Sequence, residues 1–484
     1  MRDDVKGFVA SFLAEIEAGN AAIFAGAGLS APAGFVDWAN LVRPLAEELH
    51  LDVDKESDLV AVAQFHVNAN HQNRHALHTA IVNAFSANNP PTANHRLLAR
   101  LPITTYWTTN YDKLIETALK DAGKIVDVKW AVPQLANTQP RRDAIVYKMH
   151  GDVDRPDEAV ATRDDYERYA SDRGAFINAL AGDLVSKSFL FVGFSFTDPN
   201  LEQVLARVRI TFKTNQRRHY AIFRNRTRRT DESEAEFEYG KIRQELVLED
   251  LKRFNIRPLL VDEYSEITDI LAEIERQYRS RTIFVSSSAS DFAPWGEPVV
   301  TSFMRTLGSA LISAKLRVAT GMGLGVGNAL FTGALEAIYA DRHGHIEDRM
   351  LMRPFPQYIA DEAKRTEVWE AYRQDIISSA GIALFLFGNK KVGDDTVVAD
   401  GMIREFEIAR QHGVTCIPIG ATGYAAAELA DRSIGDGADG DAALLDALKE
   451  LREPRENLNE LIDPILKLAA AARKIRDLYT CLTH

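Results

Sequence analysis

Cysteine is almost missing from this chain: Cys416 and Cys481 are the only two in 484 residues. Two thiols so far apart cannot build a four-cysteine zinc site and do not read as a disulfide framework, which fits a reducing cytoplasm. Long apolar runs are missing as well. Nothing approaches the roughly 20 residues a membrane span needs, so a soluble protein with no membrane partner is expected. The opening stretch is no signal peptide, because Val5, Phe8, Val9, Phe12, Leu13 and Ile16 recur at helical spacing among acids. An excess of positive charge is also absent. The net charge is −12 and the isoelectric point about 5.6, which argues against a dedicated binder of nucleic-acid backbones. A local basic pocket for a small phosphate ligand stays open. Proline is scarce, and an ordinary apolar and charged content leaves little room for long disorder.

What is present is alternation. Strand-like runs fall at Ala21–Ala25, 103–108, Ala144–Lys148, 189–192, 220–223 and 257–261, with helical patterns between them, notably 37–49, 112–121, 200–208 and 265–278. Short strands alternating with helices predict a doubly wound parallel sheet. The charge-dense stretch 217–252 reads as a solvated loop leading into a helix. At Arg281 the pattern restarts with RTIFVSSS, a second glycine loop (TGMGLGVG, ending at Gly327), and strands at Ile382–Phe387 and 415–419. The chain is too long for one core. The expectation is therefore an α/β protein of two such domains in tandem, 1–280 and 281–484, with the boundary near 278–282. The acidic GDGADG at 435–440 reads as a mobile surface loop, since it lacks the ligand spacing of a calcium site. The Leu/Ala-rich tail, 442–482, reads as packed helices.

The first glycine loop, AAIFAGAGLSAPAGF at 21–35, satisfies the dinucleotide pattern G-x-G-x-x-A. In a hydride-transfer enzyme the helix that follows runs on without a break, its dipole facing the pyrophosphate. Here Pro32 and Gly34 interrupt it. The loop still offers amides at Ala27 and Gly28 and a hydroxyl at Ser30 to a phosphate; a plain tight turn is the alternative. Three further segments end strands on polar groups: TTNYD with Asn110 and Asp112, YKMHGD with His150, and FVGFSFTDPN with Gly193 and Ser195. In the last of these, Asp198-Pro199 make a good N-cap and N1 pair. Taken singly, Asn110 could be a turn residue, His150 a half-buried strand end and Ser195 a hydroxyl bonded to backbone. Together they gather at the carboxyl ends of parallel strands, where open α/β sheets bind ligands.

This set resembles the sirtuin family. GAGLS with Pro32 and Gly34-Phe35, TTNYD, MHGD and GFS match its nucleotide loop, its Asn/Asp segment, its catalytic histidine and its ribose-contacting Gly-x-Ser, over roughly residues 1 to 260. The resemblance implies catalysis by Asn110 and His150, with NAD+ held by Gly26, Ala27, Gly28, Ser30, Asp112, Gly193 and Ser195. Sirtuin deacylases carry a four-cysteine zinc ribbon, and no cysteine precedes Cys416 here. The likeness is thus to the zinc-free branch that hydrolyses NAD, and no metal or other cofactor is expected. The chemistry agrees: nicotinamide leaves NAD+ neutral, so the site needs to stabilise an oxocarbenium-like ribose and place a water. Asn110 would hold water or ribose, His150 would accept a proton, and Asp112 would bind the nicotinamide amide or orient a neighbour.

Residues 281–484 resemble SLOG domains, Rossmann-like modules that sense nucleotide-derived ligands. The carriers are Ser286-Ser287-Ser288, TGMGLGVG, and IALFLFGNKK with REFEIA after it. The PGGxGT loop of enzymatic relatives is missing, which favours binding over a second catalytic site; glycines serving only close packing are the alternative. The pairing of the two halves is similar to effectors of Thoeris antiphage systems. That implies a signal, an isomer of cyclic ADP-ribose made by a TIR-domain partner enzyme, bound by Ser286, Gly323, Gly325, Arg373, Lys390 and Glu405. It also implies a homo-oligomer, tetrameric or larger. An NAD-dependent deacylase or ADP-ribosyltransferase, a non-enzymatic nucleotide sensor and a phosphoribohydrolase in the second half are the competing readings.

Overall fold

The computed structural model describes residues 2–196, 198–213, 216–230, 232–341, 345–356 and 359–473. Cys481 and the tail after residue 473 therefore lie outside the described residues. The chain divides into two compact units, one running to Glu275 and the other beginning at Arg276.

The first unit is built on a seven-stranded parallel sheet ordered β3-β4-β2-β1-β5-β6-β7. Its strands are β1 (Ala21–Ala25), β2 (Thr105–Thr108), β3 (Val126–Lys129), β4 (Ala144–Lys148), β5 (Ser188–Val192), β6 (His219–Arg224) and β7 (Ile256–Val261). Every residue of β1, β2 and β5 is buried, as expected of strands covered by helices on both faces. The edge strand β3 was not anticipated. It reads VDVK, with the Lys129 ammonium 2.8 Å from an Asp127 oxygen, so no apolar run announces it.

Register explains why the motif residues meet. Ala25 at the end of β1 pairs with Thr108 on one side and Val192 on the other, and Thr108 pairs with Lys148. Gly26, Asn110, His150 and Gly193 thus leave the sheet from nearly one line. The chain departs from β1 toward β2 and from β5 toward β6, so the line straddles a point where the winding reverses.

The second unit has a five-stranded parallel sheet ordered β10-β9-β8-β11-β14. Its strands are β8 (Thr282–Ser288), β9 (Arg317–Thr320), β10 (Met350–Met352), β11 (Ile382–Phe387) and β14 (Thr415–Pro418). In the chain, β11 and β14 are separated by an antiparallel hairpin that forms its own two-stranded sheet, β12 (Asn389–Val392) with β13 (Asp395–Val398). The reversal of winding here lies between β8 and β11. The segment expected as a mobile loop instead closes the helix Tyr424–Gly435 and continues as a 3-10 turn, Gly437–Gly440. No helix of the described residues is long and apolar enough to cross a membrane.

Candidate active site

The first glycine loop is locked backbone to backbone against the loop after β5. The Gly26 amide donates to Val192 O (3.0 Å) and the Gly28 amide to Gly193 O (2.9 Å). A Cβ on Gly193, whose φ is +65°, would meet Leu29 N at 2.2 Å, and one on Gly26 would meet Gly193 O at 2.4 Å. These glycines are dictated by close approach of two loops. The Gly28 amide, offered to a phosphate on the sequence reading, is therefore spent inside the protein. The helix after β1 is only Ala27–Ser30, followed by a 3-10 turn over Ala31–Ala33 that ends on left-handed Gly34. The broken cofactor helix inferred from Pro32 and Gly34 is what the backbone adopts.

Asn110 is pinned from three sides. Its backbone amide donates to Thr108 Oγ1 (2.9 Å), and its side-chain Nδ2 donates to Gly26 O (3.0 Å) and Ser30 Oγ (3.1 Å). A carbonyl can only accept, so Nδ2 must face Gly26, and Oδ1 is left as the accepting end. Asp112 uses Oδ1 to accept from Leu114 N (2.9 Å), starting the helix Leu114–Asp121 two residues later than the sequence pattern suggested. Its Oδ2 is buried without a hydrogen-bond partner, an acceptor awaiting a donor.

Beneath these loops lies a fully buried ammonium. Lys148 Nζ donates to the carbonyls of Tyr111 (3.0 Å) and Asp112 (2.6 Å) and to the carboxylates of Glu116 (3.0 Å) and Asp152 (2.6 Å). Burial lowers its proton affinity, but the two carboxylates outweigh that and hold it above the usual lysine value. Burial pushes Glu116 up against the pull of Lys148. Sequence reasoning did not select this lysine, although it ties the TTNYD and MHGD segments together.

His150 is 5% exposed. Its Nε2 lies 3.1 Å from Asp198 Oδ2, at an angle outside hydrogen-bond geometry, and its ring meets that of Tyr166 edge-on at 5.5 Å. Asp198 caps the helix Pro199–Phe212, Oδ1 accepting from Leu201 N at 3.0 Å. Burial raises this carboxyl, yet the facing His150 and the cap bring it below its ordinary value. Ser195 is exposed at the rim. A groove of about 340 Å³ opens elsewhere, lined by Phe196, Leu201, Leu205, Leu246 and Leu251 among others, and holds neither Asn110 nor His150.

In the second unit three of the expected ligand-binding residues meet. Ser286 Oγ donates to Glu405 Oε2 (2.6 Å), and Arg373 Nε lies 3.5 Å from Glu405 Oε1. Arg373 stacks over Phe355 at 5.0 Å. Both charged side chains are mostly buried, at 13% and 15% exposure, so they are not loose surface charges. Burial pushes the Glu405 carboxyl up, against Ser286 and Arg373. Glu405 sits in the second turn of the helix Asp400–Gln411. Lys390 belongs to the hairpin strand β12 and is paired with Asp400. Gly323 and Gly325 press against the carbonyls of Ser287 and Ala289, where a Cβ would come to 1.5 and 1.9 Å; packing alone requires them.

An open parallel sheet with these loops at its switch point, joined to a second doubly wound unit, defines a SIR2-like domain followed by a SLOG-type domain. Family models agree: residues 104–244 match the SIR2-like domain, and residues 266–472 match the Sir2- and TIR-associating SLOG family. The chain is 46% identical over 469 residues to NAD(+) hydrolase ThsA of Acinetobacter baumannii, covering 96% of each protein. It is 45% identical over 473 residues to NAD(+) hydrolase ThsA of Bacillus cereus, covering 96% of this chain and 98% of that one. NAD(+) hydrolase ThsA of Cytobacillus dafuensis is 42% identical over 484 residues, 98% of each. The chain belongs to the ThsA family.

Proposed function

We propose that this protein is an NAD+ glycohydrolase, releasing nicotinamide and ADP-ribose, and that a cyclic ADP-ribose isomer bound in the second unit activates it. The observation that carries the first half is the convergence of Asn110, Asp112 and His150 on one sheet edge in a chain about 45% identical to NAD(+) hydrolases over nearly its whole length.

With both amide protons committed, Asn110 presents Oδ1 to a water or a ribose hydroxyl without adding charge. The orphaned Oδ2 of Asp112 suits the carboxamide N–H of nicotinamide. His150 takes the proton released when water adds to the ribose. A pyridinium departs as a neutral base, so a strong general acid at the leaving group is unnecessary. The mostly buried Arg373–Glu405 pair supports the second half, since an arginine fixed by stacking and a carboxylate fixed by Ser286 can meet phosphate and adenine or ribose donors respectively. Lys390 would add a point charge. The antiphage setting and the source of the signal in a TIR-domain enzyme follow from the family likeness.

The experiment is nicotinamide release from NAD+ by the full chain, with and without a panel of cyclic ADP-ribose isomers, for the parent, Asn110→Ala and His150→Ala. Each variant should lose about 100-fold or more in turnover while keeping its melting temperature. Near-parental turnover in both would remove these residues from the site.

A further inference from the structure

We propose that Asp198 is a positioning residue for His150, fixing the imidazole so that Nδ1 is the nitrogen that receives the proton. This rests on reading His150 as the base of NAD+ hydrolysis. Three observations carry it. The carboxylate has two separate tasks for its two oxygens: Oδ1 caps the helix Pro199–Phe212 through Leu201 N (3.0 Å), while Oδ2 stands 3.1 Å from His150 Nε2. Both partners are almost out of solvent, at 6% and 9% side-chain exposure, so their attraction is weakly screened. The ring is also confined. Tyr166 meets it edge-on at 5.5 Å and Tyr169 at 6.4 Å, and the Tyr166 hydroxyl donates to the same Oδ2 at 3.4 Å.

An anionic oxygen accepts only. It therefore selects the tautomer with the proton on Nε2, and leaves Nδ1 with the lone pair. When Nδ1 takes a proton from the attacking water or a ribose hydroxyl, the ring becomes an imidazolium, and the Asp198 charge stabilises that cation without itself taking a proton. The present angle is loose, which is ordinary for a catalytic contact before substrate tightens it.

The cap and the positioning role separate by substitution. Asn and Ser are both strong N-caps, so Asp198→Asn and Asp198→Ser keep the helix start and remove the charge. Asp198→Asn goes further, turning an N–H donor toward Nε2 and favouring the opposite tautomer. Full-length parent, Asp198→Asn, Asp198→Ser and His150→Ala are assayed for nicotinamide release under the conditions in which the parent turns over, with melting temperatures alongside. The expected result is a kcat about 100-fold down in Asp198→Asn, less affected in Asp198→Ser, with KM within about 3-fold and melting nearly unchanged. Parental kcat in Asp198→Asn, or a lower melting temperature with parental kcat in the folded fraction, would restrict Asp198 to the cap and overturn the proposal. Full activity in His150→Ala would instead sink the reading of His150 on which it stands.

Discussion

Two residues decide through their hydrogen bonds whether the site keeps its shape. Ser30 accepts one of the two Asn110 amide protons, so Ser30→Ala frees the amide to swing and should lower kcat about 10-fold, through misplacement of the group that holds water. Steady-state kinetics would show it as a kcat loss with KM little moved. Lys148 has a different cost. In Lys148→Met the Glu116 and Asp152 carboxylates stay buried with no cation between them. Removing one partner of such a cluster destabilises by about 3–5 kcal/mol, read by denaturant unfolding. Substituting all three by Met, Gln and Asn should recover much of that stability and still lose activity, because the carbonyls of Tyr111 and Asp112 lose their tether.

Between β5 and β6 a histidine couples neighbouring strands in a way that predicts acid sensitivity. His219 Nδ1 accepts the Phe189 backbone N–H at 3.1 Å, which only a neutral ring can do. Burial, followed by the nearby Arg217, lowers its pKa to about 3, and burial likewise lowers His95 to about 4. An unfolded histidine titrates near 6.5, roughly, so the unfolded chain takes the proton first. The stability from both rings is therefore complete above about pH 6.5 and falls as pH drops toward 4 and then 3. The slope is about 1.4 kcal/mol per pH unit and ring. His219→Gln, whose carbonyl can accept from Phe189, should flatten the pH dependence of melting over that window. Elements of this kind also show what the sequence reveals. β1, β5 and β11 are buried throughout and stand out as apolar runs. β3 hides because an Asp127–Lys129 pair replaces the apolar pattern, and β9 and β10, at four and three residues, are too short for periodicity to register. In the site, Asn110, Asp112 and His150 were legible as strand-end motifs. The Asp198–His150 and Ser286–Glu405 contacts were not: the first joins the segments after β4 and β5, the second joins strand β8 to the helix Asp400–Gln411, and only the sheet order brings each pair together.

On the scale of the whole molecule, activation demands a difference in affinity. A cyclic ligand that bound resting and active arrangements equally would switch nothing, however tightly it bound. Arg373→Ala removes the cation stacked on Phe355 and facing Glu405. Calorimetry with the activating isomer should show binding lost, while Asn110 and His150 keep their own geometry; binding and response like the parent would place the sensor pocket elsewhere in the second unit. The central claim is that the first unit cuts NAD+. The most direct test is to incubate the full chain with NAD+, with and without cyclic ADP-ribose isomers, and to quantify nicotinamide and ADP-ribose. The account predicts equal amounts of the two products, raised by one isomer and lost in His150→Ala. NAD+ left intact under every condition, with the protein folded, would contradict it.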